Sequence, residues 1–311
     1  MSILVTGAAG EIGTNLCLYF LNAHEKVIGV DDFITGSKKN SQKLLNFSDF
    51  TFFEQSIESE DLSLILSKTD IKEVYHLACP TGVPNLQKIP KKMLLTTSIG
   101  TNNILKIALQ KKAKVLLASS SEIYGDPKEF PQEEEYNGNV DPLGIRAPYE
   151  EGKRFSETLA MTFACYYGLD VRILRIFNTF GPYSSNFDER VICSFFIKAL
   201  RDEPLIIYGD GSQKRTFLYV DDLIRGMILV MNKALSTTSV YNIGSDQEIS
   251  ILDLAYLILD ICKSKSKIIF EQDLKQDPLR RLPSIEKIKS LGWKQEISLE
   301  DGLKKFLESL S

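Results

Sequence analysis

Ser2-Ile3-Leu4-Val5-Thr6-Gly7-Ala8-Ala9-Gly10-Glu11-Ile12-Gly13, written SILVTGAAGEIG, decides the fold. An apolar pentapeptide meets a GxxGxxG turn, and the residues that follow, IGTNLCLYFLNA (12–23), carry a helical apolar pattern. Strand, glycine turn and helix in that order are the parts of a phosphate-binding βα unit. The glycines let the backbone turn tightly and approach a pyrophosphate, and the helix start offers unpaired N–H groups. A tight βα turn with no ligand has the same glycines, so the surroundings must decide. The second strand, KVIGV (26–30), ends on Asp31. A carboxylate there can accept both hydroxyls of an adenosine ribose and repels a 2′-phosphate, which favours NAD over NADP. Asp32 reads as a solvated neighbour.

Outward from this unit the rhythm repeats. TFF (51–53), EVYHLA (73–78), KVLLASS (114–120) and DVRILRIF (170–177) read as strands, several apolar at nearly every position, as strands covered on both faces are. TSIGTNNILKIALQKK (97–112) and the stretch from Tyr149 to about Tyr167 read as helices between them. Alternation of this kind predicts an α/β fold, a Rossmann-type doubly wound parallel sheet. After about Phe180 the rhythm breaks into FGPYSSNFDER, short strands LIIY and RTFLYV, and helices near 191–201, 221–233, 250–263 and 299–310. We expect a dinucleotide-binding domain over 1–180 and a smaller mixed α/β substrate-binding region over 181–311. No linker separates them, so they should interleave around a cleft.

The 311 residues are 43% apolar and 25% charged, with a net charge of -4, which gives no electrostatic case for nucleic acid or an anionic membrane. No apolar run is long enough to span a bilayer. Cys17, Cys79, Cys165, Cys193 and Cys262 are scattered, which argues against a zinc site or disulfide framework and for a reducing, cytoplasmic setting. With a strand at the very start, we expect no signal peptide.

Two further stretches carry chemistry. In APYEEGK (147–153) Tyr149 and Lys153 are four residues apart on one helix face, and a nearby ammonium lowers a phenol's pKa toward that of a base. In SSSEIYG (119–125) Ser120 ends a central strand, where ligands of such sheets bind. A hydroxyl, a phenol and a lysine can move a proton on or off a carbinol while a nicotinamide takes the hydride. Glu122 has two readings on spacing alone: it caps the turn or pairs with a basic residue, or it serves the chemistry.

GxxGxxG, Asp31, Ser120 and YxxxK resemble the extended short-chain dehydrogenase/reductase family of nucleotide-sugar enzymes. Within it SSSEIYGDP, DPLGIRAPYEEGKR, RIFNTFGP, YGDGSQKRTFLYVDDL and the late RRLP look like the segments of UDP-glucuronate decarboxylases, in the same order. The resemblance covers essentially the whole chain. It implies a Ser120–Tyr149–Lys153 triad that oxidises C4 of the sugar. It also implies a cofactor set of Gly7, Gly10, Glu11, Ile12, Gly13, Asp31, Leu77 and Lys153, with NAD as the cofactor. Ser121, Asn178, Arg190, Arg215 and Arg281 would hold the nucleotide-diphosphate sugar, and no metal is implied. A 4-keto sugar with a C5 carboxylate is a β-keto acid; by the resemblance Glu122 and Arg281 assist loss of CO2 and protonation at C5. Relatives pair as homodimers, and a stripe with Met161, Phe163, Tyr166 and Tyr167 suits either that contact or the core.

One segment departs from the pattern. HLACPTGVPNLQKIP (76–90) has Cys79, Thr81, Gly82, Val83 and Leu86 where those decarboxylases carry Ser, Ala, Ser, Pro and Tyr. Thr97 and Ser56 likewise replace an Asn and an Asp near the cofactor. The loss of hydroxyls beside the sugar opens an alternative, a 4-dehydrogenase or 4-epimerase of a UDP- or GDP-sugar without decarboxylation. A protein that binds NAD only as a sensor is a further class, and the complete triad argues against it.

Overall fold

The computed structural model describes residues 1–184, 190–233, 238–272 and 280–310, so part of the FGPYSSNFDER stretch lies outside the described residues. The strands Ser2–Thr6, Val27–Asp31, Phe50–Glu54, Ile71–His76, Lys114–Ser120 and Val171–Ile176 form as the apolar runs predict. Each begins or ends within a few residues of the sequence reading, and all pair parallel. A seventh strand, Thr238–Ile243, pairs parallel with Val171–Ile176. In chain order the sheet runs seventh, sixth, fifth, fourth, first, second, third. The order reverses between the first and fourth strands, and a doubly wound sheet opens its binding crevice at that point.

Both faces are covered, which is why the strands are apolar throughout. Leu16, Phe20, Leu223 and Met227, from helices Glu11–Asn22 and Val220–Lys233, close one face with Ile3, Val5 and Leu116. Ile104, Leu105, Ala160 and Phe163, from helices Thr101–Lys111 and Ala147–Tyr167, close the other with Leu4, Val74 and Leu117. The sheet thus takes its last strand, and one of its covering helices, from beyond residue 180. The remaining pieces are small: Leu205–Tyr208 pairs with Ile268–Glu271, Lys214–Thr216 with Glu248–Ser250, and Thr179–Phe180 with Leu218–Tyr219. Helices Val191–Leu200, Ile251–Cys262 and Leu299–Leu310 pack around them.

The helix predicted over 97–112 starts with a π-helical turn, Thr96–Gly100, before the regular Thr101–Lys111. Such turns insert one residue into a helix and shift the faces on either side of it. Helix Ala147–Tyr167 starts with Pro148 in its first turn and ends at Gly168 in the left-handed region, φ 70°. Among the described residues no helix is long and apolar enough to cross a membrane.

Candidate active site

The glycine turn is built as its spacing requires. Gly7 has φ +72° and approaches the next strand end so closely that a Cβ would lie 2.9 Å from the Ala78 nitrogen. A Cβ on Gly13 would lie 2.0 Å from the Gly7 carbonyl oxygen, so any side chain there breaks the turn. Gly10 caps the helix without a side-chain hydrogen bond, leaving the first-turn N–H groups for a ligand. Asp31 is buried at the end of the second strand and accepts from Phe33 N at 2.8 Å and Ala9 N at 3.0 Å. Burial raises its pKa, and the two amides oppose that rise. Its neighbour Asp32 pairs with Lys92 at 3.3 Å. Lys92 also donates to the Ser56 hydroxyl, while the Thr97 hydroxyl turns back to Met93 O inside its own helix.

Strand Lys114–Ser120 ends in the crevice. Ser120 is extended, φ -146°, and its hydroxyl accepts from Glu122 N at 3.2 Å, which closes the short turn Ser121–Tyr124. The Ser120 hydroxyl is near enough to the Tyr149 phenol to lower its pKa. Lys153, 6% exposed, sits one turn along with Nζ 5.9 Å from the Tyr149 ring and donates to Ala118 O at 2.8 Å. The triad is therefore assembled. The expected lowering of the phenol pKa by Lys153 is not what dominates: burial raises it, the neighbouring Cys79 adds to that, and Ser120 opposes.

Glu122 takes the basic-pair reading. Arg146 Nη2 donates to both of its oxygens at 2.7 Å, and Arg281 Nη1 donates to Oε1. Burial works against the charge, but the two guanidiniums win and hold its pKa down to about 2. Glu150, 3.4 Å from Arg146 Nε, moves the other way, to about 7, through burial and the Glu122 charge. Arg281 is brought here by Gln132, fully buried, whose side-chain Oε1 accepts from Leu282 N at 2.9 Å and whose backbone N–H donates to Leu282 O at 2.8 Å. Arg146, Glu150 and Gln132 were not singled out from the sequence. Arg146 and Glu150 had a signal, three residues before and one after Tyr149 within a segment already quoted; Gln132 had none.

All the candidate residues line one cleft of about 540 Å³, including Ser121, Leu77, Asn178 and Arg215, and so do Cys79 and Leu86 of the departing loop. Glu11 and Arg190, assigned to cofactor and to substrate, are joined in a salt bridge that Ser184 supports with a hydrogen bond to Glu11. Arg215 is buried on the strand Lys214–Thr216 and donates to Lys214 O at 3.0 Å.

The family model for GDP-mannose 4,6 dehydratase matches residues 4–306. UDP-glucuronic acid decarboxylase 1 of Danio rerio is 41% identical over 99% of this chain and 72% of its own length. UDP-glucuronic acid decarboxylase 1 of Arabidopsis thaliana is 38% identical over 97% of this chain and 68% of its own. The UDP-glucose 4-epimerase of Thermotoga maritima, solved with UDP-glucose, superposes with a TM-score of 0.92 at 31% identity, covering 100% of this chain and 98% of that one. The UDP-glucuronic acid 4-epimerase of Bacillus cereus, solved with UDP-glucuronic acid and NAD, gives 0.89 at 31% identity over 100% and 99%. With the glycine turn, the doubly wound sheet and the Ser–Tyr–Lys constellation in place, these matches put the chain in the extended short-chain dehydrogenase/reductase family, within the group that the GDP-mannose 4,6 dehydratase model describes.

Proposed function

We propose that the protein is an NAD-dependent UDP-glucuronate decarboxylase. The observation that carries this reading is the charge cluster beside Tyr149. Arg146 and Arg281 converge on the Glu122 carboxylate, with Glu150 beside Arg146, so two guanidiniums line the cleft where the carboxylate of a uronic acid would have to be met. A carboxylate left unpaired in a closed site costs several kcal/mol, so such a substrate needs positive charge of this kind. The decarboxylase names of the relatives above point the same way.

The glycine cradle, the open helix start and Asp31 suit the pyrophosphate and ribose of NAD, and Lys153 would hold the nicotinamide ribose. Bound NAD supplies the hydride acceptor and a positive nicotinamide charge that favours the Tyr149 phenolate. Ser120 and Tyr149 hold the C4 hydroxyl, and the phenolate takes its proton as hydride leaves C4. The 4-keto uronate is then a β-keto acid. CO2 departs from C5, its electron pair passes into the C4 carbonyl, and the enolate is protonated at C5. Ser120 and Tyr149, as donors to the C4 oxygen, stabilise that enolate. Glu122 is a carboxylate throughout and fixes both arginines; Glu150 is the member of the cluster that holds a proton near neutral pH.

A second reading is a 4-epimerase or 4-dehydrogenase. It is favoured by the Bacillus cereus neighbour and by Cys79 and Leu86, which give the cleft wall an apolar stretch. Mass spectrometry of the protein with NAD and UDP-glucuronate decides. A UDP-pentose or its 4-keto form supports decarboxylation, a C4-epimeric UDP-uronate supports the second reading, and unchanged substrate overturns both for this sugar.

We also infer a homodimer through helices Thr101–Lys111 and Ala147–Tyr167. Phe163 belongs to the core, but Phe155, Tyr166 and Tyr167 are 50%, 81% and 60% exposed on the outer face. Sedimentation that gives the mass of one chain would overturn this. The five free cysteines suit the cytoplasm.

A further inference from the structure

A buried chain of side chains crosses the fold between the glycine turn and the catalytic helix. Thr6, His76, Thr101 and Ser156 are each at most 2% exposed. Thr6 Oγ1 lies 2.7 Å from His76 Nδ1, His76 Nε2 lies 3.1 Å from Thr101 Oγ1, and Thr101 Oγ1 lies 3.4 Å from Ser156 Oγ. Ser156 donates to Thr97 O at 2.7 Å or to Gly152 O at 3.0 Å.

The direction of every proton in this chain follows from its ends. Thr6 Oγ1 already accepts from Ala78 N at 3.2 Å and from Leu77 N at 3.2 Å, the latter shared with Thr6 O at 3.2 Å. A hydroxyl has two lone pairs and one proton, so Thr6 has only its proton to offer to Nδ1. Nδ1 is therefore the acceptor, and the neutral ring carries its hydrogen on Nε2 and donates it to Thr101. Thr101 passes its proton to Ser156, whose own proton goes to a backbone carbonyl. Burial, with the Lys153 ammonium nearby, holds the imidazole neutral, its pKa lowered to about 3.

Each end meets a part of the site. Thr6 holds the Leu77–Ala78 backbone against which Gly7 makes its close turn, and Leu77 lines the cleft. Ser156 is three residues past Lys153. Its carbonyl partner Thr97 lies in the π-helical turn, where Thr101 N–H bonds the Thr96 and Ser98 carbonyls instead of Thr97. Gly152 packs on the same residue: a Cβ there would lie 2.5 Å from Thr97 Oγ1.

We propose that His76, as its Nε2–H tautomer, is a positioning residue that ties the phosphate-binding turn to the helix carrying Tyr149 and Lys153. The inference rests on the reading of that turn and triad as the cofactor and C4-oxidation machinery. It does not depend on whether CO2 is then lost.

The test starts with the imidazole nitrogens, and the chain has only two histidines, His24 and His76. In the full chain labelled with 15N-histidine, one ring must show a protonated Nε2 and a bare, hydrogen-bonded Nδ1, and must disappear in His76→Asn. A proton on Nδ1, or on both nitrogens, overturns the proposal without any variant having to fold. The two amide variants then separate the ends. In His76→Asn the amide oxygen replaces the Nδ1 acceptor for Thr6, while the reach to Thr101 is lost. NAD affinity should hold and turnover fall roughly ten- to a hundredfold, as for a slightly misplaced catalytic group. In His76→Gln the amide N–H reaches Thr101 and the acceptor for Thr6 is lost, so the Kd for NAD should rise about three- to tenfold with turnover largely kept. NAD binding is measured by calorimetry, and turnover as hydride transfer to NAD from whichever nucleotide sugar the protein oxidises. Equal losses in both variants, or melting shifts with neither constant moved, would mean that His76 is merely part of the core. If UDP-glucuronate is not turned over, the decarboxylase reading fails, while the nitrogen and NAD measurements still decide this one.

Discussion

Replacing Glu122 by glutamine keeps the shape of the site and removes the one charge that both guanidiniums share. The fall of its pKa from the ordinary value of 4.5 to about 2 corresponds to about 3 kcal/mol of preference for the carboxylate in the fold. Its side chain is 14% exposed and those of Arg146 and Arg281 are 15% and 6%, so solvent screens little of this. Glutamine still accepts one N–H, and Arg146 can lean further on Glu150, so about 2 kcal/mol should be lost at neutral pH. For a chain of this size that is a fall of about 3 °C in melting temperature. The sign with pH is fixed. A depressed carboxyl pKa stabilises the fold above the ordinary value near 4.5, and the benefit drains away as pH falls toward about 2. The gap between wild type and Glu122→Gln should thus be full at pH 6 to 7, shrink to less than half by about pH 3 and nearly close only at about pH 2, read by differential scanning fluorimetry. In the variant the two arginines that face the substrate no longer meet the Glu122 charge, so UDP-glucuronate should bind at least as tightly while its conversion to UDP-pentose slows. Equal melting temperatures at neutral pH, or a gap that persists into acid, would refute the reasoning that the pairing stabilises the fold.

Tyr149→Phe should abolish C4 oxidation, because it removes the only hydroxyl proposed to take the carbinol proton, and should leave NAD bound; a wild-type rate in a turnover assay rules the role out. Gly13→Ala sets a methyl 2.0 Å from the Gly7 carbonyl oxygen, so the turn must open. NAD binding should fall below detection by calorimetry, while near-wild-type affinity would mean that the pyrophosphate does not use this turn. Gln132→Leu removes the acceptor for Leu282 N. With Arg281 less firmly placed, UDP-pentose formation should drop more than NADH formation from a carboxylate-free sugar, and an equal drop in both would place Gln132 in the core alone.

The sheet was legible where its strands are covered on both faces, since burial there demands one apolar residue after another. Thr238–Ile243, TSVYNI, escaped notice because it is the edge strand and half its residues are polar; only its pairing with Val171–Ile176 makes it part of the sheet. The glycine turn and the Tyr149–Lys153 pair were readable because their geometry is local, set by spacings of three and four. Nothing local marks Gln132, whose work is to hold a segment 150 residues away. The same is true of His76. It looked like one more residue of an apolar strand, and its hydrogen-bond partners lie 70 and 25 residues from it.

The departing loop bears on the substrate differently once the charges are located. The sequence alone suggests that losing hydroxyls at Cys79–Leu86 strips the site of partners for a C5 carboxylate. In the fold the positive charge sits elsewhere: Arg146 arrives on the segment leading into the catalytic helix, and Arg281 arrives through Gln132. The loop contributes Cys79, which lies near enough to Tyr149 to raise its pKa, and Leu86, an apolar wall. A carboxylate can therefore be held by the arginines without the loop. An apolar wall beside them also suits the step in which that charge leaves as neutral CO2, because low polarity disfavours the carboxylate more than the departing product. Restoring polarity tests this. Leu86→Tyr, which places a phenol on that wall, should strengthen UDP-glucuronate binding without speeding decarboxylation. A variant that decarboxylates faster at saturating substrate would show instead that the wild-type loop is a defect in the site and that its proper substrate carries no carboxylate.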